Sequence, residues 1–268
     1  MVQPASTLKA AQREAAREVT FLMGRHEGRP TRRGLGAPVR VGFLDDGAGG
    51  HPMATLLSSR SGSGGGRGGK TRLALLLSLL WVAGGEGHSA TRPASFWARL
   101  IGLPDPQGTG ARAINSTWAE LETRGFVSIR RSRVSGEVPT VTLMNEARPG
   151  QPYQTPTGEE GDRYLRVPER LWTMGKLDQE LTGAGLAMLV IAIRTYDMAN
   201  RKQSLTFPAV TFKERYGLGE STRKKGLQNL VDLDILDRSD SLTDDDGGFG
   251  RRMRPRNTYE FVSLGLDN

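Results

Sequence analysis

The chain has 268 residues, enough for about two domains at a typical ~100–200 residues each, and 37% of them are hydrophobic, so a modest core can form. A formal net charge of +8 and a pI near 10.1 favour polyanionic partners, because neutralising phosphates releases their condensed counterions. Cysteine is absent, which excludes disulfides, thiolate metal sites and a cysteine nucleophile; His26, His51 and His88 are too scattered for a metal-ligand pair or a Ser-His-Asp constellation.

The basic surplus is uneven. Residues 1–66 carry nine Lys/Arg against five acids, 67–148 eleven against six, and 149–268 seventeen against eighteen. The longest apolar run, 73–84, is shorter than the ~20 residues a bilayer span needs. The first stretch is charged and has no apolar signal core, so a cytoplasmic protein with no membrane partner is expected.

In chain order, residues 6–24 read as an amphipathic helix rich in Ala, Glu, Arg and Leu. From 25 to 69 Gly, Pro, Ser and Arg dominate, with one strand-like piece at 39–44, and residues 1–69 are expected to form a helix followed by a partly disordered arm. Residues 71–82 are apolar on all sides, the pattern of a buried helix. Pro93 opens a short helix over 94–101, ended by Gly102; proline suits a first turn because its missing N–H would be unpaired there anyway. After a turn at 104–110, a third helix is expected over 111–124, closed by Gly125, and then two strands at 126–131 and 138–144. A Pro-, Gly- and acid-rich stretch begins at 145, and 148–180 is expected to be a linker between domains at 70–147 and 181–268. Thr182 then caps a helix through Tyr196, Pro208 opens a short helix ending at Gly217, a third helix covers 221–233, and strands begin at Ile235 and return over 257–262. The fold class expected is mainly α with small β-hairpins (α+β).

The two halves repeat one another. The segment Pro93–Leu103 lies over Pro208–Leu218 without a gap, with Pro-Ala at the start, an aromatic at the fifth place and Gly-Leu at the end. Downstream, Trp118, Leu121, Phe126 and Val127 match Leu227, Leu230, Ile235 and Leu236 at an offset of 109 rather than 115. The six extra residues of the first copy fall in its turn, where insertions are tolerated.

This order of three helices and a two-stranded ribbon, met twice, resembles the winged-helix superfamily over roughly 70–144 and 181–262. Tandem copies are similar to bacterial plasmid replication initiators, and single copies to transcriptional regulators. The resemblance implies two tandem winged-helix domains, a third helix of each copy in the major groove of double-stranded DNA, and a ribbon at the backbone or minor groove. On the third helices the candidates are Arg112, Asn115 and Ser116, then Thr222, Arg223, Lys224, Lys225 and Gln228, with Asn229 beside them; Arg and Lys suit guanine edges or phosphates, Asn and Gln adenine. On the ribbons they are Arg130, Arg131 and Arg133, then Arg251, Arg252 and Arg254, with Arg256 on the same arm. Asp240, Asp244, Asp245 and Asp246 oppose phosphate contact there, so that tip either points away from DNA or pairs with protein. Homodimerisation is left open, and neither an enzyme, a cofactor nor a metal is expected.

Gly64–Thr71 formally fits the G-x-x-x-x-G-K-T phosphate cradle, the basis of an alternative reading as a nucleotide hydrolase. The cradle must follow a buried strand, and the preceding residues are short, polar and Ser-rich. A second alternative is a protein-interaction scaffold. Trp81, Phe96, Trp97, Trp118 and Trp172 read as core, and the acid pairs Glu159-Glu160 and Asp232/Asp234 have no partner suited to acid–base work.

Overall fold

The computed structural model describes residues 5–25, 36–45, 47, 50–59, 68–83, 86–132, 134, 136–177, 180–198, 204–243 and 254–262. Among these residues, helices and three small antiparallel sheets surround one continuous hydrophobic core.

Helix α1 (Ala5–Arg25) buries Leu8, Gln12, Ala15, Ala16 and Val19, the helical spacing that places them on one face, against two later helices at Ala94–Leu100 and Arg170–Thr173. The Gln12 side-chain amide donates to the Leu100 carbonyl at 2.9 Å.

The described part of the expected arm is packed, not loose. Strand β1 (Gly36–Arg40) runs into a single 3-10 turn over Val41–Phe43, and helix α2 (Pro52–Leu57) follows. Phe43, Met53 and Leu56 are fully buried, and the Phe43 ring meets Phe126 edge-on at 6.2 Å. The expected linker is likewise built in: β5 (Tyr164–Pro168) pairs antiparallel with β1 from Gly36↔Pro168 to Arg40↔Tyr164, and α6 (Arg170–Thr173) buries Leu171 and Trp172. The strand-like piece at 39–44 lies in the structure as strand only to Arg40, with a 3-10 turn after it, and its partner lies more than a hundred residues away, so local composition does not reveal the pairing. The remaining parts of the arm, 26–35 and 60–67, lie outside the described residues.

A buried ion pair locks this strap. Arg40 bonds Glu146 through its guanidinium at 3.0 Å and its backbone N–H at 2.8 Å, and reaches Asp162 at 2.7 Å. Burial pushes the Glu146 carboxyl up, while Arg40 pulls it back down.

The first repeat comprises α3 (Gly68–Val82), β2 (Ser89–Thr91), α4 (Ala94–Leu100), α5 (Thr109–Thr123), β3 (Val127–Arg130) and β4 (Thr140–Leu143), its sheet ordered β2-β4-β3. The second comprises α7 (Gly183–Met198), a single bridge at Leu205, α8 (Ala209–Tyr216), α9 (Glu220–Asp232), β6 (Leu236–Thr243) and β7 (Arg254–Phe261). Leu205 pairs with Tyr259 on β7, which pairs with β6, so the strand order matches that of the first copy.

Details of capping agree as well. Gly102 and Gly217 sit at φ 69° and 64°, the left-handed conformation that ends α4 and α8. Helix α5 closes with Phe126 N–H donating to the Leu121 carbonyl at 3.0 Å, and α9 with Ile235 N–H to Leu230 at 2.9 Å. Gly125 takes the left-handed position in the first case and Asp234 in the second.

Helices α3 and α7, both apolar on nearly every side, are buried against each other and carry the common core. Trp172 stacks on Trp81 at 4.7 Å and its indole N–H donates to Ser78 Oγ at 2.9 Å, fastening α6 to α3. Asparagine 229 on α9 holds the start of α7, accepting from the Thr182 N–H and hydroxyl at 2.8 and 3.0 Å and donating to the Glu180 carbonyl at 3.0 Å. Thr182 in turn caps α7 through Gly185 N–H at 2.9 Å.

Candidate nucleic-acid interface

Helix α5 buries Gly110, Ile114, Thr117, Trp118 and Leu121 and leaves a stripe of Arg112, Asn115, Ser116, Ala119 and Thr123 exposed. The apolar residues at i, i+4 and i+7 dictate that division, since they must meet α3 and α4. In α9 the stripe at the same offset of 109 is Ser221, Lys224, Lys225, Gln228 and Asp232, all exposed. Both copies therefore present the corresponding face of their third helix, with one cation, Arg112, among small and polar residues in the first, and Lys224 and Lys225 against the single acid Asp232 in the second.

Several candidates stand away from that face. Arg223 aligns with Ile114, a core position, and its side chain is only 15% exposed. Its guanidinium donates to the Phe207 carbonyl at 2.7 Å and to both Glu220 oxygens at 2.6 and 2.9 Å, so it fastens α9 to the segment before α8 instead of pointing outward. These bonds raise the Arg223 pKa and hold the Glu220 carboxyl down to about 2. Asn229 is turned to α7, as described above, and Thr222 is half-buried. The offset already contained the signal: a polar residue at a position whose counterpart is Ile114 faces inward.

Lys224 lies 3.3 Å from Glu220 with its side chain 71% exposed, and Lys225 is exposed. Gln228 donates to Asp232 at 2.8 Å, an i, i+4 pair on the same helix.

Between α9 and the β6–β7 hairpin lies a cleft of about 430 Å³. It is lined by the apolar Leu227 and Val231 and by Tyr259, together with Arg223, Lys224, Lys225, Gln228, Arg238 and Asn257. Arg238 and Asn257 were not singled out by the sequence, because strand β6 shows no apolar alternation beyond Leu236. Arg238 approaches Asp240 at 3.5 Å, which offsets part of its charge.

On the first hairpin Arg130 is exposed, and Arg131 pairs with Glu122 of α5 at 2.8 Å. Arg133, Arg251 and Arg252 lie outside the described residues, as do Asp244, Asp245 and Asp246; Arg254 and Arg256 belong to β7.

Of the Gly64–Thr71 stretch, the described part forms the first turn of α3. Among the described residues the element before it is helix α2, and every strand pair is antiparallel, whereas the phosphate cradle follows a strand of a parallel sheet. A Cβ on Gly69 would lie 2.8 Å from the Leu57 carbonyl oxygen, and one on Gly183 of α7 3.2 Å from the Lys70 nitrogen. The amide end of α3 thus faces packed chain. Among the described residues no cluster of three or more His, Asp or Glu is placed to hold a metal ion, and no helix is long and apolar enough to cross a membrane. Comparisons with family models, with curated proteins and with solved structures find no match to this chain.

Proposed function

We propose that the chain is a sequence-specific double-stranded DNA-binding protein made of two tandem winged-helix units, acting as a transcriptional regulator or as a replication initiator of a mobile element in the cytoplasm. The observation that carries the reading is the shared polar stripe: Arg112, Asn115, Ser116 and Ala119 on α5 correspond to Ser221, Lys224, Lys225 and Gln228 on α9. Each stripe lies on the third helix of a helix–strand–helix–helix–hairpin unit, the element that enters the major groove in winged-helix proteins. Short side chains such as Ser116 and Ala119 let a helix approach base edges closely, and Asn115 offers the paired donor and acceptor suited to adenine. Lys224, Lys225 and Arg238 line a cleft between helix and hairpin where a phosphate backbone would lie.

Arg223 and Asn229 drop out of the contact set, Arg130 stays in it, and Arg238 and Asn257 join it. The test is selection of bound fragments from a random duplex pool, repeated with alanine at Arg112, Asn115, Lys224 and Lys225. An enriched motif that the variant fails to bind while keeping its circular dichroism and melting temperature supports the reading. A variant that binds as the parent does, or a parent that enriches nothing, leaves a protein-interaction scaffold.

A further inference from the structure

We propose that helix α2 is a rigid bridge that fixes the distance and angle between the two DNA-reading units, so that one chain reads a two-part site of a single fixed spacing. The inference rests on the DNA-binding reading above and adds the geometry of its target.

The C-terminal end of α2 is held by the first unit. Its last carbonyls have no partner within the helix and need outside donors. Arg72 of α3 supplies three, to Leu56 at 2.7 Å, Leu57 at 3.2 Å and Ser58 at 3.0 Å, and pairs with Glu120 of α5 at 2.6 Å. Arg124, at the C-terminal cap of α5, supplies two more, to Thr55 at 2.7 Å and Ser58 at 3.0 Å. Gly69 packs so closely on Leu57 that a Cβ there would meet its carbonyl oxygen at 2.8 Å.

The N-terminal end of α2 packs against the second unit. His51, the residue before the helix, lies against Gly217 in the turn between α8 and α9, where a Cβ would come within 2.6–2.8 Å of three of its side-chain atoms. Pro52, Met53, Leu56 and Leu57 are buried between the two attachments. A six-residue helix rises about 9 Å and does not bend over that length. Its two ends therefore join the C-terminal end of α5 to the turn that positions α9. The α3–α7 core and the β1–β5 strap pack the same joint from other sides.

The test has two arms. In the first, Thr123→Cys and Asp232→Cys, exposed equivalents on α5 and α9, are the chain's only thiols and take spin labels. The bridge predicts one narrow distance distribution, broadened by Arg124→Ala; a broad distribution in the otherwise unaltered chain overturns it. In the second, about five base pairs, half a helical turn, are inserted between the halves of the selected site. Affinity falls roughly 100-fold or more, since one unit no longer engages, and Arg124→Ala cuts that penalty below tenfold. Equal binding to the original and lengthened sites, or a site with one contacted half, overturns the proposal while DNA binding stands. Should no duplex be bound, the functional reading falls, and the distance distribution still decides whether α2 couples the units.

Discussion

Replacing Arg72 by Met keeps much of the side-chain length and removes the donors to the Leu56 and Leu57 carbonyls, leaving those of Arg124 to Thr55 and Ser58 in place. The guanidinium is 5% exposed and makes four hydrogen bonds, three to the carbonyls of Leu56, Leu57 and Ser58 and one to Glu120. Leu56 and Leu57 are buried, so their carbonyls lose their donor out of reach of bulk water, at about 1–3 kcal/mol each. Ser58 is exposed and Glu120 is 40% exposed, so both regain solvent and add little. The loss expected is therefore ~2–6 kcal/mol, read as a lower urea midpoint at unchanged slope by far-ultraviolet circular dichroism. Amide exchange should accelerate first at 53–58. A loss below about 1 kcal/mol would refute the argument that Arg72 is what satisfies the end of α2.

Arg223→Ala removes the bonds to Phe207 and Glu220 and should cost about 1–3 kcal/mol, yet weaken duplex binding less than Lys225→Ala, since Arg223 is turned inward. Gel shifts at matched salt compare the two. Glu220 titrates at about 2 in the folded chain against an ordinary 4.5, because Arg223 donates to its carboxylate. Its contribution is complete above about pH 4.5 and disappears as pH falls toward 2, so Glu220→Gln should narrow the stability difference from the parent across that window and leave it constant above. Acid titrations followed by fluorescence would show it. Gly226→Ala drives a Cβ into the Ala184 carbonyl oxygen and Met188 Cγ, forcing α9 off α7; the overpacking costs about 1–3 kcal/mol despite alanine's higher helix propensity, measurable as a lower melting temperature.

Wherever apolar spacing and punctuation coincided, the sequence was readable. Pro93 and Pro208, Gly102 and Gly217, and the pairs Leu121/Leu230 and Phe126/Ile235 carry helix limits and core contacts that are local, and they lie in the structure where spacing puts them. Pairing across the chain was not readable. Strand β1 is five residues holding a Pro and a Gly, and it forms only because β5 meets it; β2 has three residues, and the Leu205 bridge has one. Such segments have no periodicity to detect. At the candidate interface the exposed stripe follows from the spacing of Trp118, Leu121, Leu227 and Leu230, whereas charge and amide type alone do not reveal that Arg223 and Asn229 turn to partners within the fold. Asn229 is polar because it caps a neighbouring helix, a tertiary role that its own helix does not reveal.

The affinity of the chain for its selected duplex, measured from low to moderate salt, tests the DNA-binding reading most directly. Each phosphate contact adds a slope of about 0.9 in log affinity against log salt. A slope of at least ~3, reduced by about 2 in the Lys224→Ala/Lys225→Ala double variant with folding unchanged, is the expected result. A flat salt profile, or a double variant indistinguishable from the parent, would contradict the account.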